Sequence, residues 1–140
     1  MRIEMRELNG ILDQISALYH DAAVKYGLSD CEFTILYLLR EEGGACNQSV
    51  FYKVSGIRRS TVNSSIRKME MAGSLTLCPG EGRNTRVSLT EKGKKLSART
   101  VEKVIEAENR ILDSWSAEEK AIFMDLNRRL LRQMREQIEH

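Results

Sequence analysis

Between Arg58 and Arg67 the chain gathers hydrogen-bonding and cationic side chains: Arg58, Arg59, Ser60, Thr61, Asn63, Ser64 and Arg67. These types have a defined chemistry toward nucleic acid. Asn pairs with the edge of adenine, Ser and Thr reach bases or phosphates, and Arg takes guanine or phosphate. Val62, Ile66 and Met69 are spaced for one buried face of a helix, which leaves the polar set on the other side. That side holds no acid before Glu70, whereas a merely solvated helix face mixes Glu with Lys. Arg58 and Arg59, at the helix start, suit phosphate anchoring, which positions a protein without reading sequence. Farther on, Arg83 and Arg86 sit in a Gly-rich turn and its exit, between the β-like pieces Leu75-Thr76-Leu77 and Val87-Ser88-Leu89. Arg83, at the tip, suits a narrow minor groove, where negative potential is concentrated, and Arg86 suits the flanking backbone. A helix followed at once by a basic hairpin fits double-stranded DNA, because the two can occupy adjacent grooves.

The charge distribution agrees. Residues 56–95 hold nine Lys and Arg against three Glu, a net of +6. The other hundred residues hold 13 basic against 17 acidic, a net of −4, so the whole-chain value of +2 conceals a polar molecule. A localised basic face is the electrostatic footprint of a nucleic-acid binder. Lys92, Lys94 and Lys95 extend it, either as further phosphate contacts or as a solvated helix start.

The elements that must position these residues are mostly helical. One proline and nine glycines, mostly at punctuation points, favour helix in a chain of 140 residues. Leu8, Ile11, Leu12, Ile15, Leu18, Tyr19 and Ala22 recur at spacings of three and four, which predicts a first amphipathic helix ending near Gly27. Ser29 with Glu32 is a capping-box pair for a second helix that ends at Gly43-Gly44. Asn47 is the expected cap of a short third helix, Gln48 to Val54, with Val50, Phe51 and Val54 inward. Ser55-Gly56-Ile57 joins it to a fourth helix from Arg59 to Ala72, a helix–turn–helix, with Gly73 as the residue that ends the helix. After the hairpin, Thr90 caps a long fifth helix, and Ser116 with Glu119 opens a sixth through Ile122, Phe123, Leu126, Leu130, Met134 and Ile138. The order is α-α-α-α-β-β-α-α. The apolar seams of the terminal helices exceed what a three-helix-plus-hairpin module needs, which implies a homodimer.

From Ser29 to Gly93 the residues resemble the MarR family of winged helix–turn–helix transcription regulators. Leu28-Ser29, Glu32-Phe33 and Ile35-Leu36 are similar to the family's L-[ST]-x-x-[QE]-[FW]-x-[IVL]-L. Ser60-Thr61-Val62 matches its S-T-V, and Met69-Glu70 with Gly73 its L-E-x-x-G. Glu81-Gly82-Arg83 stands at the place of Asp-x-Arg, and Val87-Ser88-Leu89-Thr90-Glu91-Lys92-Gly93 is similar to V-x-L-T-x-x-G. The chain departs from the pattern at Leu77, where a basic residue is usual, at Arg58, where a Ser or Asp cap is usual, and at Glu81. Those departures bear on sequence preference and affinity.

The resemblance implies a mainly α fold with a small β-hairpin wing, six helices, and terminal helices forming a dimerisation lobe. Residues 1–28 and 94–140 would supply that lobe, and residues 29–93 the DNA-binding domain. It implies a sequence-specific transcription regulator, a ligand-responsive repressor acting as a homodimer on a pseudo-palindromic operator. The alternative is a winged-helix module that docks proteins without binding DNA. A small-molecule effector would lie near Tyr19, Tyr26, Tyr37 and Trp115, although aromatics at helical spacing are more often core or dimer packing.

Other chemistry finds little support. No placed nucleophile and base suggest an enzyme, and His20 beside Asp21 reads as a surface histidine. Three cysteines without a C-x-x-C pair, with two histidines, suggest neither disulfide frame, zinc site nor cofactor. Cys31 and Cys46 fall at expected helix starts, where the dipole lowers a thiol pKa, and Cys78 lies near the wing; small structural residues are the default for all three. No secretory signal and no run of about 18 apolar residues is present, so the expected location is the cytoplasm.

Overall fold

The structure, a computed structural model, describes residues 1–139. In chain order it contains α1 (Ile3–Lys25), α2 (Asp30–Glu41), β1 (Ala45–Asn47), α3 (Ser49–Ser55), α4 (Arg59–Met71), β2 (Leu75–Pro79), β3 (Thr85–Leu89), α5 (Glu91–Arg99), α6 (Val101–Asp113) and α7 (Ala117–Ile138). The fold is mainly helical with a small antiparallel sheet, as expected, but two boundaries differ from the sequence reading.

First, there is a third strand. β1 pairs antiparallel with β3, which pairs with β2, giving the order β1-β3-β2. Asn47 is therefore not a helix cap: it sits opposite Arg86 in the sheet, and Gln48 precedes α3. Three residues are too few to show a period of two, so nothing in the local pattern distinguished the strand from a loop. Second, the expected long fifth helix is broken at Thr100, giving seven helices among the described residues. Thr100 lies off the helical conformation, at φ −124° and ψ −94°, and its hydroxyl donates to the Leu96 carbonyl at 2.6 Å. A hydroxyl bonding back to a carbonyl competes with the helix ladder, and the β-branched pair Thr100-Val101 is its sequence trace.

Residues 1–104 form one compact unit with a single core. Phe51, Ile35, Leu36, Leu39, Ile66, Leu75, Val62, Val87 and Val101 are its fully buried large side chains. Each contributes roughly 1.5–3 kcal/mol by leaving water. α2 runs through the middle of this unit, contributing Cys31, Phe33, Ile35, Leu36, Leu38 and Leu39 to the core. Its N-terminus is closed by the expected capping box: Glu32 N–H donates to Ser29 Oγ and Ser29 N–H to Glu32 Oε1, both at 3.0 Å. Val54, expected inward on α3, is 65% exposed, and Phe51, with Val50 and Tyr52 packed beside it, anchors that short helix.

Residues 105–139 belong to a second unit. There α7 is opened by the Ser116–Glu119 capping box and contains no buried residue at all. Trp115 meets Phe123 edge to face at 5.2 Å. No helix among the described residues is long and apolar enough to cross a membrane.

Candidate nucleic-acid interface

The rotation of α4 about its axis is fixed by three buried residues, Val62, Ile66 and Met69. Ser60, Thr61, Ser64 and Arg67 are consequently exposed on the other side, with Arg58 and Arg59 exposed at the start. Arg58 takes the N-cap position in extended conformation and makes no side-chain cap bond, which leaves the first N–H groups of α4 unoccupied by its own side chain. α4 is held against α2 by Cys31, whose Sγ lies 3.9 Å from the Thr61 carbonyl, and by Lys68, whose Nζ lies 3.6 Å from Glu32.

The far end of α4 is joined to the hairpin. Gly73 adopts φ +83°, the left-handed turn that ends the helix. Thr90 Oγ1 donates to the Gly73 carbonyl and Lys92 Nζ to the Ala72 carbonyl, each at 2.5 Å. A cation there also complements the negative end of the helix. Lys94 pairs with Glu91 at 3.3 Å. Both lysines thus have structural partners of their own. Gly93 packs so tightly on the hairpin base that an added Cβ would lie 2.1 Å from the Ser74 carbonyl oxygen. The glycine of the V-x-L-T-x-x-G pattern is there for close approach, and its φ is ordinary.

The hairpin of β2 and β3 carries Arg83 and Arg86, both exposed. Its tip is closed by Gly80 N–H to Asn84 O at 2.7 Å and Asn84 N–H to Glu81 O at 3.1 Å, with Gly82 at φ +61°. Among the described residues no ion pair joins Glu81 to Arg83, so the tip is closed by backbone hydrogen bonds and not by an acid–Arg pair. Leu77 is half-buried opposite Val87, an apolar strand residue where a basic side chain is usual.

Two of the expected readers are already engaged within the protein. Ser64 Oγ donates to the Ser60 carbonyl at 2.9 Å, so its proton is committed. Asn63 is half-buried, and its Oδ1 accepts from Gln48 Nε2 and from Tyr52 OH, the latter at 3.2 Å. Gln48 Nε2 also lies 2.7 Å from Tyr52 OH, which closes a triangle between α3 and α4. Arg59 lies over the Tyr52 ring, 5.1 Å from its centroid. Gln48 and Tyr52 carried no local signal: they matter only because the turn at Gly56, φ +73°, folds α3 back onto α4.

The burial of Cys31 and Cys46 agrees with the default of small structural residues. Cys46 lies in β1, not at a helix start, and burial pushes its thiol up to about 11. Cys31 does lie in the first turn of α2, and burial raises its pKa too, against a lowering hydrogen bond from Ser65. Cys78 is exposed. His20 is indeed exposed but pairs with Asp30 at 2.8 Å instead of forming a dyad with Asp21, and the hydrogen bond to Asp30 raises its pKa. Beside that pair is a cavity of about 460 Å³ lined by Tyr19, Phe33, Thr34 and Tyr37, among others. Tyr19 and Tyr37 flank Phe33 with ring centroids at 6.3 and 6.1 Å. Tyr26 instead meets Lys25, and Trp115 meets Phe123.

A helix–turn–helix with a basic reading helix and a basic two-stranded wing defines a winged-helix DNA-binding protein. No protein-family profile matches the chain. Over 119 residues it is 38% identical to the HTH-type transcriptional regulator PecS of Dickeya dadantii (strain 3937), in a match taking in 79% of this chain and 72% of that protein. Its structure superposes on a MarR family regulator from Neisseria meningitidis with a TM-score of 0.82, at 22% identity, covering 99% of this chain and 98% of that one. It superposes on the PcaV transcriptional regulator from Streptomyces coelicolor, in complex with its natural ligand, with a TM-score of 0.62 at 25% identity over 89% of each chain. The chain belongs to the MarR family, and it is a DNA-binding transcriptional regulator. The alternative of a winged helix that only docks proteins gives way to this assignment.

Proposed function

We propose that the protein is a ligand-responsive repressor that works in the cytoplasm as a homodimer on a pseudo-palindromic operator. The observation that carries the DNA-binding mode is the exposed face of α4, free of acid before Glu70 and continuous in sequence with a wing whose tip carries Arg83. α4 enters the major groove through Ser60, Thr61, Asn63, Ser64 and Arg67. Arg58, Arg59 and Arg86 hold phosphates, and Arg83 enters the adjacent minor groove. Twofold symmetry then sets the half-sites about one helical turn apart.

Dimerisation is supported by the exposed apolar residues of α1 (Ile11, Leu12, Ile15, Leu18) and of α7 (Ile122, Phe123, Leu126, Met134). A seam of this kind needs a cover, and a second copy supplies one. The effector site is the aromatic cavity of Tyr19, Phe33 and Tyr37, and PcaV, which holds a natural ligand, is the relative that favours such a reading. An effector acts by preferring a dimer in which the two α4 helices are wrongly spaced for DNA. No catalysis is part of this reading.

Fluorescence anisotropy with duplexes selected from a random library tests it. Affinity falls steeply between low and physiological salt, since several phosphates are contacted per dimer. Arg83→Ala weakens binding by about 1–3 kcal/mol. Binding that does not depend on salt would sink the proposal.

A further inference from the structure

We propose that Gln48, which precedes α3, and Tyr52 on α3, both outside the reading face, determine the base preference of α4 by fixing Asn63 as a donor-only reader that selects guanine. The inference rests on α4 lying in the major groove as proposed above.

The argument begins with hydrogen-bond inventory. A carboxamide side chain offers two N–H donors and one oxygen with two lone pairs, and a phenol offers one donor and accepts as well. In the triangle, Gln48 Nε2 uses one N–H on Tyr52 OH and the other on Asn63 Oδ1. Tyr52 OH, having accepted from Gln48, donates its own proton to Asn63 Oδ1. As the two amides stand in the structure, every donor meets an acceptor and Asn63 turns its oxygen inward. Reversing the Asn63 amide alone would set its N–H groups against the Gln48 N–H, which is costly; reversing both amides together keeps three hydrogen bonds but turns the Asn63 oxygen outward, and it is the adenine or cytosine outcome of the test below. In the orientation of the structure the oxygen is saturated, and what Asn63 has left for a ligand is its Nδ2 with two N–H donors.

An asparagine in that state cannot make the two-way contact with adenine, which needs an oxygen for N6–H and an N–H for N7. It can donate. Guanine presents two acceptors on its major-groove edge, N7 and O6, and is the base that a pair of donors suits best. Tyr52 adds a second constraint, because its ring carries the Arg59 guanidinium at 5.1 Å. A stacked Arg keeps its N–H groups in one plane, so it too is pre-set as a donor near the start of α4. Gln48 and Tyr52 thus orient two residues of α4.

The test uses the full-length protein and selection from a randomised double-stranded library, read by sequencing. The wild type is compared with Asn63→Ala to locate the base pair whose preference depends on Asn63. At that pair the wild type favours guanine over adenine by about five- to tenfold, in the range of one good base contact. Gln48→Glu replaces the donor by an acceptor, so the Asn63 amide turns over and presents its oxygen. The preference at that pair then moves to a base with an amino donor, adenine or cytosine, while preferences elsewhere hold. Tyr52→Phe, which removes one hydroxyl and keeps the ring under Arg59, narrows the guanine preference about two- to threefold; it serves equally if Gln48→Glu melts early by circular dichroism. A lost fold lowers affinity at all positions, whereas a turned amide changes one base. Adenine at the Asn63-dependent pair of the wild type overturns the proposal. So does an unchanged preference in both variants, or an Asn63→Ala protein that selects the wild-type motif. A wild type that selects no motif overturns the reading of α4 itself along with it.

Discussion

α2 and α7 carry apolar residues at the same helical spacing, and each begins with a capping box, yet they end in opposite environments. α2 buries Cys31, Phe33, Ile35, Leu36, Leu38 and Leu39, and α7 buries nothing. The local code for a helix is the same in both. What differs is whether the chain itself supplies the other side of the seam. In α2 the cover is α4, α1, α3, α5 and β1; in α7 the apolar stripe Ile122, Phe123 and Leu126 remains half exposed, as a surface kept for another molecule does.

Substitution sharpens the contrast. The largest effect is expected for Leu39→Ala, which removes a fully buried side chain and leaves a cavity; it costs about 2–5 kcal/mol in denaturant unfolding. Leu126→Lys on α7 leaves the melting of the DNA-binding unit almost unchanged and instead shifts the protein from dimer to monomer in sedimentation equilibrium. A monomeric wild type at micromolar concentration removes the dimer from the proposal.

Gly93→Ala is next. The added methyl meets a backbone oxygen, which cannot swing aside as a side chain would, so the variant loses about 1–3 kcal/mol, toward the upper end, by thermal melting. Ser29→Ala removes one side of a capping box and costs about 1 kcal/mol in the same assay.

The smallest effect concerns His20. Its folded-state pKa is raised, first by the hydrogen bond to Asp30 and then by the charge of that carboxylate. Any stability from the pair is therefore fully present below the ordinary histidine pKa of 6.5 and is lost as pH rises through the raised value. Asp30→Asn brings the histidine titration, followed by NMR, back down toward 6.5. A titration midpoint that does not move means the pair is absent in solution.

Much of the reading site was legible because its signals are local or periodic. Val62, Ile66 and Met69 set which side of α4 faces out, and Gly73, Thr90 and Gly93 mark the helix end and wing base within a few residues of where they act. Asn63 was legible as a residue on α4 but not as to which of its atoms face outward. That depended on Gln48 and Tyr52, 15 and 11 residues away, whose placement follows from the packing of α3. Cys46 is a related case: its sequence position suggests a helix start, whereas it lies in a strand, and burial decided its thiol pKa.

By itself the sequence determined most of the helices, the caps at Ser29, Thr90 and Ser116, the glycine that ends α4 and the polarity of charge between residues 56–95 and the rest. These depend on neighbours three or four residues apart or on composition, so a linear reading contains them. Tertiary structure alone decided that Ala45–Asn47 joins the sheet, that Thr100 breaks a helix, that His20 meets Asp30, and that the Asn63 oxygen is occupied. Each of these joins groups that meet only after the core has closed, or sets a local preference against packing, and such contests are settled by the whole fold.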